Sequence, residues 1–128
     1  MKKIEAYIKP ERFGFVKKAL EAEGYYGMSI SEIRGRGNQK GIALPYRGGT
    51  IDVDLIPKVK LEIVIGDKDV ANVIAVIKEH AKTGKIGDGR IFVYPVEQAI
   101  RIRTGETEEE SNVPVLRTAG NTSVTEEL

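Results

Sequence analysis

Alternation between apolar and polar residues predicts four β-strands in this chain. The clearest covers residues 2–8, where isoleucine and alanine alternate with charged or aromatic side chains. Such a two-residue period is typical of a strand with one buried face. Residues 58–65 repeat the pattern, residues 28–34 follow it less regularly, and residues 91–94 form a short run of β-favouring residues.

A helical period predicts two helices. The first begins at Pro10, which suits a first turn, and ends before Gly24, which suits a left-handed cap. The second begins near Asp67, whose carboxylate can cap it, and is closed by Gly84. Its apolar stripe consists of Val70, Val73, Ile74, Ile77 and Ala81.

A long connection separates the second and third strands. Residues 35–57 contain five glycines and two prolines and show little periodicity, which predicts a loop of about twenty residues. The order of elements is β-α-β, loop, β-α-β. We therefore predict an α+β, ferredoxin-like βαββαβ fold with both helices on one face of an antiparallel sheet. The other face would expose Tyr7, Val64, Phe92 and Tyr94, which favours assembly with further subunits.

Composition excludes several function classes. The 128 residues carry 20 basic and 19 acidic side chains, whereas nucleic-acid coating proteins are far more basic. The absence of cysteine and the single histidine argue against thiolate metal sites and histidine-based catalysis. No apolar run could span a membrane, and the charged start lacks the apolar region of a signal peptide. We expect a soluble, cytoplasmic protein that binds neither nucleic acid nor membrane directly.

The charge is unevenly distributed along the chain. Residues 104–128 carry six acidic side chains and one arginine, a net charge of −5, which leaves +6 on residues 1–103. The acidic stretch has no apolar periodicity, so we predict a flexible tail. A body of charge +6 suits an anionic small molecule or an acidic partner, although solubility alone would also account for it.

Two segments combine glycine with cationic side chains. One spans residues 35–41 and is followed by Lys58 and Lys60; the other spans residues 83–90. Glycine lets backbone N–H groups approach an anion closely, and cationic side chains add charge and hydrogen bonds. The pattern favours a polyphosphate or dicarboxylate site, and a pair of solvated glycine-rich turns remains the alternative.

Further cations lie after the last strand and in the long loop. We predict one helical turn over residues 96–100 and an extended segment over residues 101–103. That segment would place Arg101 and Arg103 on one face, about 7 Å apart, where they suit two groups of one anion. Arg47, in the middle of the long loop, suits a pore or an acidic pocket, or an ordinary solvated turn. No nucleophile with a base is evident, so an enzyme is not favoured.

Four motifs resemble PII nitrogen-regulatory signal proteins of the GlnK/GlnB type. They are Gly-Asn-Gln-Lys-Gly at 37–41, Pro-Lys-Val-Lys-Leu-Glu at 57–62, Thr-Gly-Lys-Ile-Gly-Asp-Gly-Arg-Ile-Phe-Val at 83–93 and Ile-Arg-Ile-Arg-Thr-Gly at 100–105. The likeness runs from residue 1 to about 105. Because four separate motifs occur in the family's order, the resemblance is specific.

The resemblance implies a ferredoxin-like homotrimer with a T-loop at about residues 37–57. ATP or ADP would bind in the clefts between subunits, and 2-oxoglutarate would join Mg-ATP there. The T-loop would then select a target, an ammonium transporter or a nitrogen-metabolism enzyme. The implied function is non-catalytic signal transduction in nitrogen metabolism, in the cytoplasm or at a membrane channel.

The resemblance also implies roles for individual residues. The nucleotide would contact Gly27, Met28, Ser29, Gly35, Gly37, Asn38, Gln39, Val64, Gly87, Asp88, Gly89, Arg90, Arg101 and Arg103. 2-Oxoglutarate would contact Gly37, Gln39, Lys40, Gly41, Lys58 and Gly87. Gln39 would ligate Mg²⁺. The loop tip that meets the partner would be Tyr46, Arg47 and Gly48.

The chain departs from the family pattern within the loop. Ile51 stands where bacterial relatives carry the tyrosine that is nucleotidylylated, and it has no hydroxyl to modify. Gly49 removes a serine that is phosphorylated in some relatives. We therefore predict regulation by ligands alone, with Tyr46 and Thr50 as the remaining acceptors. Asn38 replaces a common arginine and removes one cation near the phosphates.

Two alternatives stay open. The chain could sense adenine nucleotides only and regulate a different target, or it could hydrolyse ATP weakly on the same fold. The presence of Gln39 and Lys58 argues against the first, and no catalytic constellation supports the second. We predict a PII-like domain over residues 1–105 and an acidic tail over residues 106–128.

Overall fold

The computed structural model describes residues 1–36, 42–46, 49–53 and 55–108, with the backbone alone described for 42–46 and 49–53. The elements in chain order are β1 (Lys2–Ile8), α1 (Pro10–Ala22), β2 (Ser29–Gly35), β3 (Ile42–Tyr46), β4 (Gly49–Val53), β5 (Ile56–Ile65), a 3₁₀ turn (Asp67–Asp69), α2 (Val70–Ala81) and β6 (Arg90–Pro95).

Four strands form the main sheet in the order β2, β5, β1, β6, and every neighbouring pair is antiparallel. The two central strands pair from Lys2 opposite Ile65 to Ile8 opposite Val59. α1 connects β1 to β2, and α2 connects β5 to β6. This is the ferredoxin-like arrangement, so the predicted α+β fold is confirmed.

One face of the sheet holds the hydrophobic core, because alternate strand side chains point toward the two helices. The larger buried residues on this face and on the helices are Ile4, Ile8, Val16, Leu20, Leu61, Ile63, Ile65, Val73 and Ile77. Each fully buried aliphatic side chain stabilises the fold by about 1.5–3 kcal/mol. The buried Tyr25 hydroxyl also donates to Asp69 Oδ1 at 3.1 Å, which joins the segment after α1 to the start of α2.

The opposite face of the sheet carries charged and aromatic side chains. Lys3 Nζ lies 3.2 Å from Glu62 Oε2, and the Tyr7 hydroxyl donates to Glu5 Oε1 at 2.5 Å. This hydrogen bond to a carboxylate raises the pKa of Tyr7 to about 12. Phe92 stands edge-on to Tyr7, with ring centroids 5.8 Å apart.

The apolar side chains predicted for this outer face are found on it. Val64, Phe92 and Tyr94 remain 38%, 41% and 41% exposed. Phe92 lies opposite Glu5 and Tyr94 opposite Lys3, so both share the outward direction of those residues. A partly apolar surface with charged neighbours is typical of a protein–protein contact.

The first helix begins and ends as predicted. Pro10 occupies its first turn. Gly24, with φ of 93°, closes it in a Schellman motif. In this motif the Gly24 N–H donates to the Glu21 carbonyl and the Tyr25 N–H to the Leu20 carbonyl, each at 2.9 Å.

The second helix begins and ends differently from the prediction. The 3₁₀ turn precedes it, and α2 starts at Val70 without a side-chain cap. Asp67 does not cap the helix, because it lies inside the 3₁₀ turn and the N-cap position of α2 is Asp69. The Asp67 carboxylate instead accepts a hydrogen bond from the amino group of Met1 at 3.1 Å. The helix ends at Ala81, before Gly84. In the described part of the chain, no helix is long and apolar enough to cross a membrane.

The predicted long loop contains a second, two-stranded sheet. β3 and β4 pair antiparallel, from Ile42 opposite Val53 to Tyr46 opposite Gly49. The prediction of a loop without strands is therefore wrong for these residues. The sequence pattern did not indicate them because Pro45 and the neighbouring glycines interrupt the apolar alternation.

The third strand of the main sheet begins two residues earlier than predicted, because β2 continues to pair with it. Gly35 lies opposite Ile56, and Arg34 lies opposite Pro57. β1 ends opposite Val59. Pro57 therefore has a strand on one side only, where the missing N–H of proline is tolerated. The last two residues of the predicted T-loop, 56 and 57, therefore belong to β5 and pair with β2.

The chain after β6 forms a tight turn in place of the predicted helical turn and extended segment. The Arg101 N–H donates to the Glu106 carbonyl at 2.9 Å. Gly105, with φ of 74°, donates its N–H to the Arg101 carbonyl at 2.8 Å and closes the turn. The prediction that Arg101 and Arg103 share one face of an extended segment is therefore wrong. The division predicted between domain and tail falls inside this hairpin.

Candidate functional site

The connection between α2 and β6, residues 83–90, folds around the carboxylate of Asp88. Asp88 Oδ2 accepts from the backbone N–H groups of Thr83 and Gly84 at 3.0 and 2.9 Å, and Oδ1 meets the Thr83 hydroxyl. Lys9 Nζ lies 3.3 Å from Oδ1. The hydrogen bond from the Thr83 hydroxyl, with the other donors, holds the pKa of Asp88 well below its usual range. Both carboxylate oxygens are thus engaged in shaping the turn.

Three glycines of this turn adopt backbone conformations that other residues rarely take. Gly84, Gly87 and Gly89 have φ values of 81°, 94° and 100°. At Gly89 a Cβ atom would fall 1.7 Å from the carbonyl oxygen of Tyr7. The turn therefore packs directly on the backbone of β1. Without side chains at these positions, the peptide groups are open to close approach by an anion.

Lys58, near the start of β5, reaches the same turn. Its Nζ donates a hydrogen bond to the carbonyl oxygen of Gly87. Lys9 Cε and Lys58 Nζ border the space beside Gly87, at 3.4 and 3.5 Å from the position of a Cβ atom. Burial lowers the pKa of Lys58, and the charge of Lys9 lowers it further. A bound anion would offset the repulsion between these two ammonium groups.

Lys9 belongs to this cluster and was missed by the sequence analysis. It lies between β1 and α1, outside both glycine-rich segments. The register of β1 and β5 places Lys9 in the cluster. Ile8 lies opposite Val59, so the next residue along β1, Lys9, comes beside Lys58. Because this neighbour is about fifty residues away in the chain, no local motif signals it.

Substitution of Asp88 tests whether its hydrogen bonds or its negative charge matter more for anion binding, because the two effects change the affinity in opposite directions. We expect Asp88→Asn to weaken binding of the predicted nucleotide, ADP, roughly tenfold, because hydrogen bonds that involve a charged group are worth about 1.5–3 kcal/mol. Removal of a negative charge beside a cationic site would by itself strengthen anion binding. Calorimetric titration with ADP distinguishes the two effects.

Asp67→Asn is the matched control, because Asp67 is 57% exposed and pairs with the amino group of Met1, away from the turn around Asp88. This control is expected to bind ADP like the wild type. Tighter ADP binding by the Asp88→Asn protein would contradict the positioning role of Asp88.

The predicted nucleotide contacts fall into two groups within one protomer. The group near Lys58 contains Gly35, Gly87, Asp88, Gly89 and Arg90. The group at the other end of the sheet contains Gly27, Met28, Ser29 and Val64. Ser29 pairs with Glu62 and Gly35 with Ile56, six residues apart along β5, which corresponds to about 20 Å. Gly35 and Ser29 of one protomer therefore do not line a single compact pocket.

The two predicted arginines of the C-terminal turn lie apart from Arg90. β6 runs from Arg90, opposite Tyr7, to its far end beside the amino terminus, and the hairpin follows that far end. Arg101 Nε lies 3.2 Å from Glu108 Oε1. Arg103 is exposed. Within one protomer the described contacts thus join Arg101 to an acid of the same hairpin.

Several predicted site residues lie outside the described part of the chain. They are Gly37, Asn38, Gln39, Lys40, Gly41, Arg47 and Gly48. Tyr46 ends β3, and its backbone alone is described. Within residues 1–36 and 55–108, no three histidine, aspartate or glutamate side chains cluster in a way that could hold a metal ion.

The described cluster has the chemistry of an anion site. Lys9 and Lys58 supply ammonium groups beside Gly87, and Arg90 follows the turn as the first residue of β6. The glycine-rich turn adds peptide groups that no side chain covers at Gly87 and Gly89. Such a donor set fits the oxygens of a polyphosphate or of a dicarboxylate.

Comparison with known proteins agrees with the resemblance seen in the sequence. The family model described as nitrogen regulatory protein P-II matches residues 1–106. The chain is 52% identical over 107 residues to nitrogen regulatory protein P-II 2 of Methanothermobacter thermautotrophicus, covering 84% of this chain and 93% of that protein. It is 56% identical over 111 residues to nitrogen regulatory protein P-II of Haemophilus influenzae, covering 87% of this chain and 99% of that protein.

Proposed function

Because this chain belongs to the nitrogen regulatory protein P-II family of signal proteins, we propose that it senses ATP or ADP together with 2-oxoglutarate. The sensed state would reach a target protein through the loop between β2 and β5, without catalysis. The observation that carries this proposal is the cluster of Lys9 and Lys58 against the glycine-rich turn, at the base of that loop. The proposal includes a cytoplasmic location for this sensor.

The nucleotide phosphates would bind at the glycine-rich turn. Gly87 and Gly89 leave the backbone uncovered, and Arg90 would add the planar contacts that suit phosphate. The base would lie against Gly35 and against the group that contains Val64. The donor chemistry of these residues fits a polyphosphate.

We propose a homotrimer in which two protomers complete each site. Gly35 and Ser29, one from each group of predicted contacts, are separated by about 20 Å along β5 in one protomer. A cleft between protomers would unite the turn of one with the far sheet end of the next. The partly exposed Val64, Phe92 and Tyr94 supply apolar surface for such an assembly.

2-Oxoglutarate would bind beside the phosphates at Lys58. Its carboxylate would replace the Gly87 carbonyl as the partner of the Lys58 ammonium group. Mg²⁺, with Gln39 as the predicted ligand, would supply positive charge between the phosphates and 2-oxoglutarate. The backbone of residues 37–41 would complete the site.

Signalling would arise from a population shift of the loop. Lys58 lies on β5 two residues from Ile56, where the paired strand begins. A ligand that changes the partner of Lys58 acts at the point where the loop joins the sheet. It can favour one set of loop conformations only through such a difference in contacts.

The proposed target is an ammonium channel, and Arg47 at the loop tip is the residue predicted to enter it. We expect Arg47→Glu to weaken binding to a purified ammonium channel by roughly 30-fold or more, because reversing a buried interfacial charge costs several kcal/mol. Surface plasmon resonance measures this affinity.

Lys18→Glu provides the same charge reversal at an exposed position on α1. It should leave channel binding intact, and neither variant should change the affinity for ADP. A channel affinity that is unchanged in Arg47→Glu would remove Arg47 from the interface.

Two measurements test the proposed function as a whole. Calorimetry should detect binding of ATP and of ADP with one site per chain, and sedimentation velocity should give the mass of a trimer. Failure of both nucleotides to bind would overturn the sensor proposal. A monomeric mass in the presence of bound ADP would overturn the shared cleft.

A further inference from the structure

The ion pair between Arg101 and Glu108 has no part in the function proposed so far. Arg101 Nε lies 3.2 Å from Glu108 Oε1. The two side chains retain 23% and 21% of their exposure, so most of the pair is shielded from water. Shielding strengthens an ionic contact relative to one on an open surface.

The backbone of the C-terminal hairpin brings Glu108 to this place. The Arg101 N–H donates to the Glu106 carbonyl at 2.9 Å, and the Glu108 N–H donates to the Ala99 carbonyl at 2.7 Å. Gly105 closes the turn between them. The carboxylate is thus presented to the guanidinium by paired backbone.

Arg101 is one of the nucleotide contacts that the resemblance to the PII family implies. Carboxylate and phosphate oxygens both suit the planar donors of arginine. A phosphate that approaches Arg101 therefore meets a group already paired with an acid. Glu108 also lies just beyond residue 106, where the match to the family model ends.

We propose that Glu108 is an internal competitor for Arg101, which nucleotide phosphate must displace in order to bind. This inference rests on the proposed function, because it assumes that Arg101 contacts phosphate. The competition lowers nucleotide affinity by the free energy of the ion pair. It makes the first part of the predicted acidic tail a regulator of the nucleotide site.

The test compares two glutamates of one hairpin that differ in their contact with Arg101. Glu108→Gln should tighten ADP binding roughly two- to fivefold, the range expected for a partly exposed ion pair. Glu106→Gln removes the same charge two residues away, from a residue that meets Arg101 through its backbone and is exposed. It should leave ADP affinity unchanged. Calorimetric titration of ADP into the three full-length proteins gives the affinities.

Nuclear magnetic resonance of the Arg101 Nε–H group supplies a second, direct measurement. Its signal should move in ligand-free Glu108→Gln, stay in Glu106→Gln, and move in the wild type when ADP is added. A signal that does not respond to Glu108→Gln would overturn the ion pair as the resting state of Arg101.

The affinities separate this inference from the function on which it rests. Equal tightening in both variants would overturn the competition, since loss of charge alone would then explain it. Equal ADP affinity in the wild type and Glu108→Gln would overturn the competition and leave the proposed function standing. Absence of ADP binding in both proteins would overturn both.

Discussion

Substitution of Lys58 by methionine is expected to weaken 2-oxoglutarate binding by at least about 30-fold and to leave ADP binding unchanged. Methionine has a similar length but no charge, so it removes the ammonium group that now donates to the Gly87 carbonyl. A partly buried carboxylate of the ligand would then lack its cationic partner, which is costly. Calorimetric titration of 2-oxoglutarate into each protein saturated with Mg-ATP measures the difference.

Lys18→Met is the control for this substitution, because Lys18 is exposed on α1 and loses the same charge. It should bind 2-oxoglutarate like the wild type. The pH dependence provides another check. As the pH rises, Lys58 loses its charge earlier than an ordinary lysine because its pKa is lowered, so the affinity for 2-oxoglutarate should begin to fall at a lower pH. Undiminished binding to Lys58→Met would show that the ligand lies elsewhere.

Substitution of Gly89 by alanine is expected to destabilise the protein by roughly 3 kcal/mol or more and to abolish ADP binding. Two effects combine at this position. The φ of 100° is costly for any residue with a Cβ atom, and that atom would lie 1.7 Å from the Tyr7 carbonyl oxygen. The turn or β1 must move, and either shift displaces Arg90 and the peptide groups beside it. Urea unfolding gives the stability change.

Gly14→Ala is the matched control, with an effect of opposite sign. Gly14 lies within α1, and a Cβ atom there would meet nothing within 4 Å. Replacing a glycine inside a helix by alanine stabilises it by about 0.5–1 kcal/mol. If the Gly89→Ala protein were as stable as the Gly14→Ala protein and still bound ADP, the close packing of the turn on β1 would be contradicted.

The strands and helices of the main sheet follow from local patterns. Ile4, Ala6 and Ile8 of β1 are buried, and Gly24 ends α1 with φ of 93°. Both features depend on near neighbours in the chain: a strand alternates with period two, and a left-handed helix end favours glycine. For this reason the order of elements was sufficient to predict the ferredoxin-like fold.

The departures occur where contacts other than the apolar period decide the structure. β5 begins at Ile56 because β2 pairs with it there, a contact between segments about twenty residues apart. Asp67 lies in the 3₁₀ turn before α2, where it binds the amino group of Met1, and does not cap α2. The chain forms a turn after Arg101 because the backbone of Arg101 hydrogen-bonds to that of Gly105 and Glu106. None of these partners is visible from a local period of apolar residues.

The candidate site was predictable in its chemistry and less so in its geometry. The glycine-rich turn around Gly87 and the cation Lys58 were both identified from the sequence, and the structure joins them. Lys9 was not identified, because only the pairing of β1 with β5 brings it to the turn. The positioning role of Asp88 likewise depends on contacts with Lys9 and Thr83 that the turn makes only when folded.

The most direct test of the sensor proposal is calorimetric titration of 2-oxoglutarate into the protein with and without Mg-ATP. We predict binding only in the presence of Mg-ATP, since both ligands would share the site at Lys58 and the glycine-rich turn. Nucleotide binding without any 2-oxoglutarate binding would contradict the dual sensor and leave a sensor of adenine nucleotides alone. Steady release of phosphate from ATP during the titration would contradict the proposal that the protein acts without catalysis.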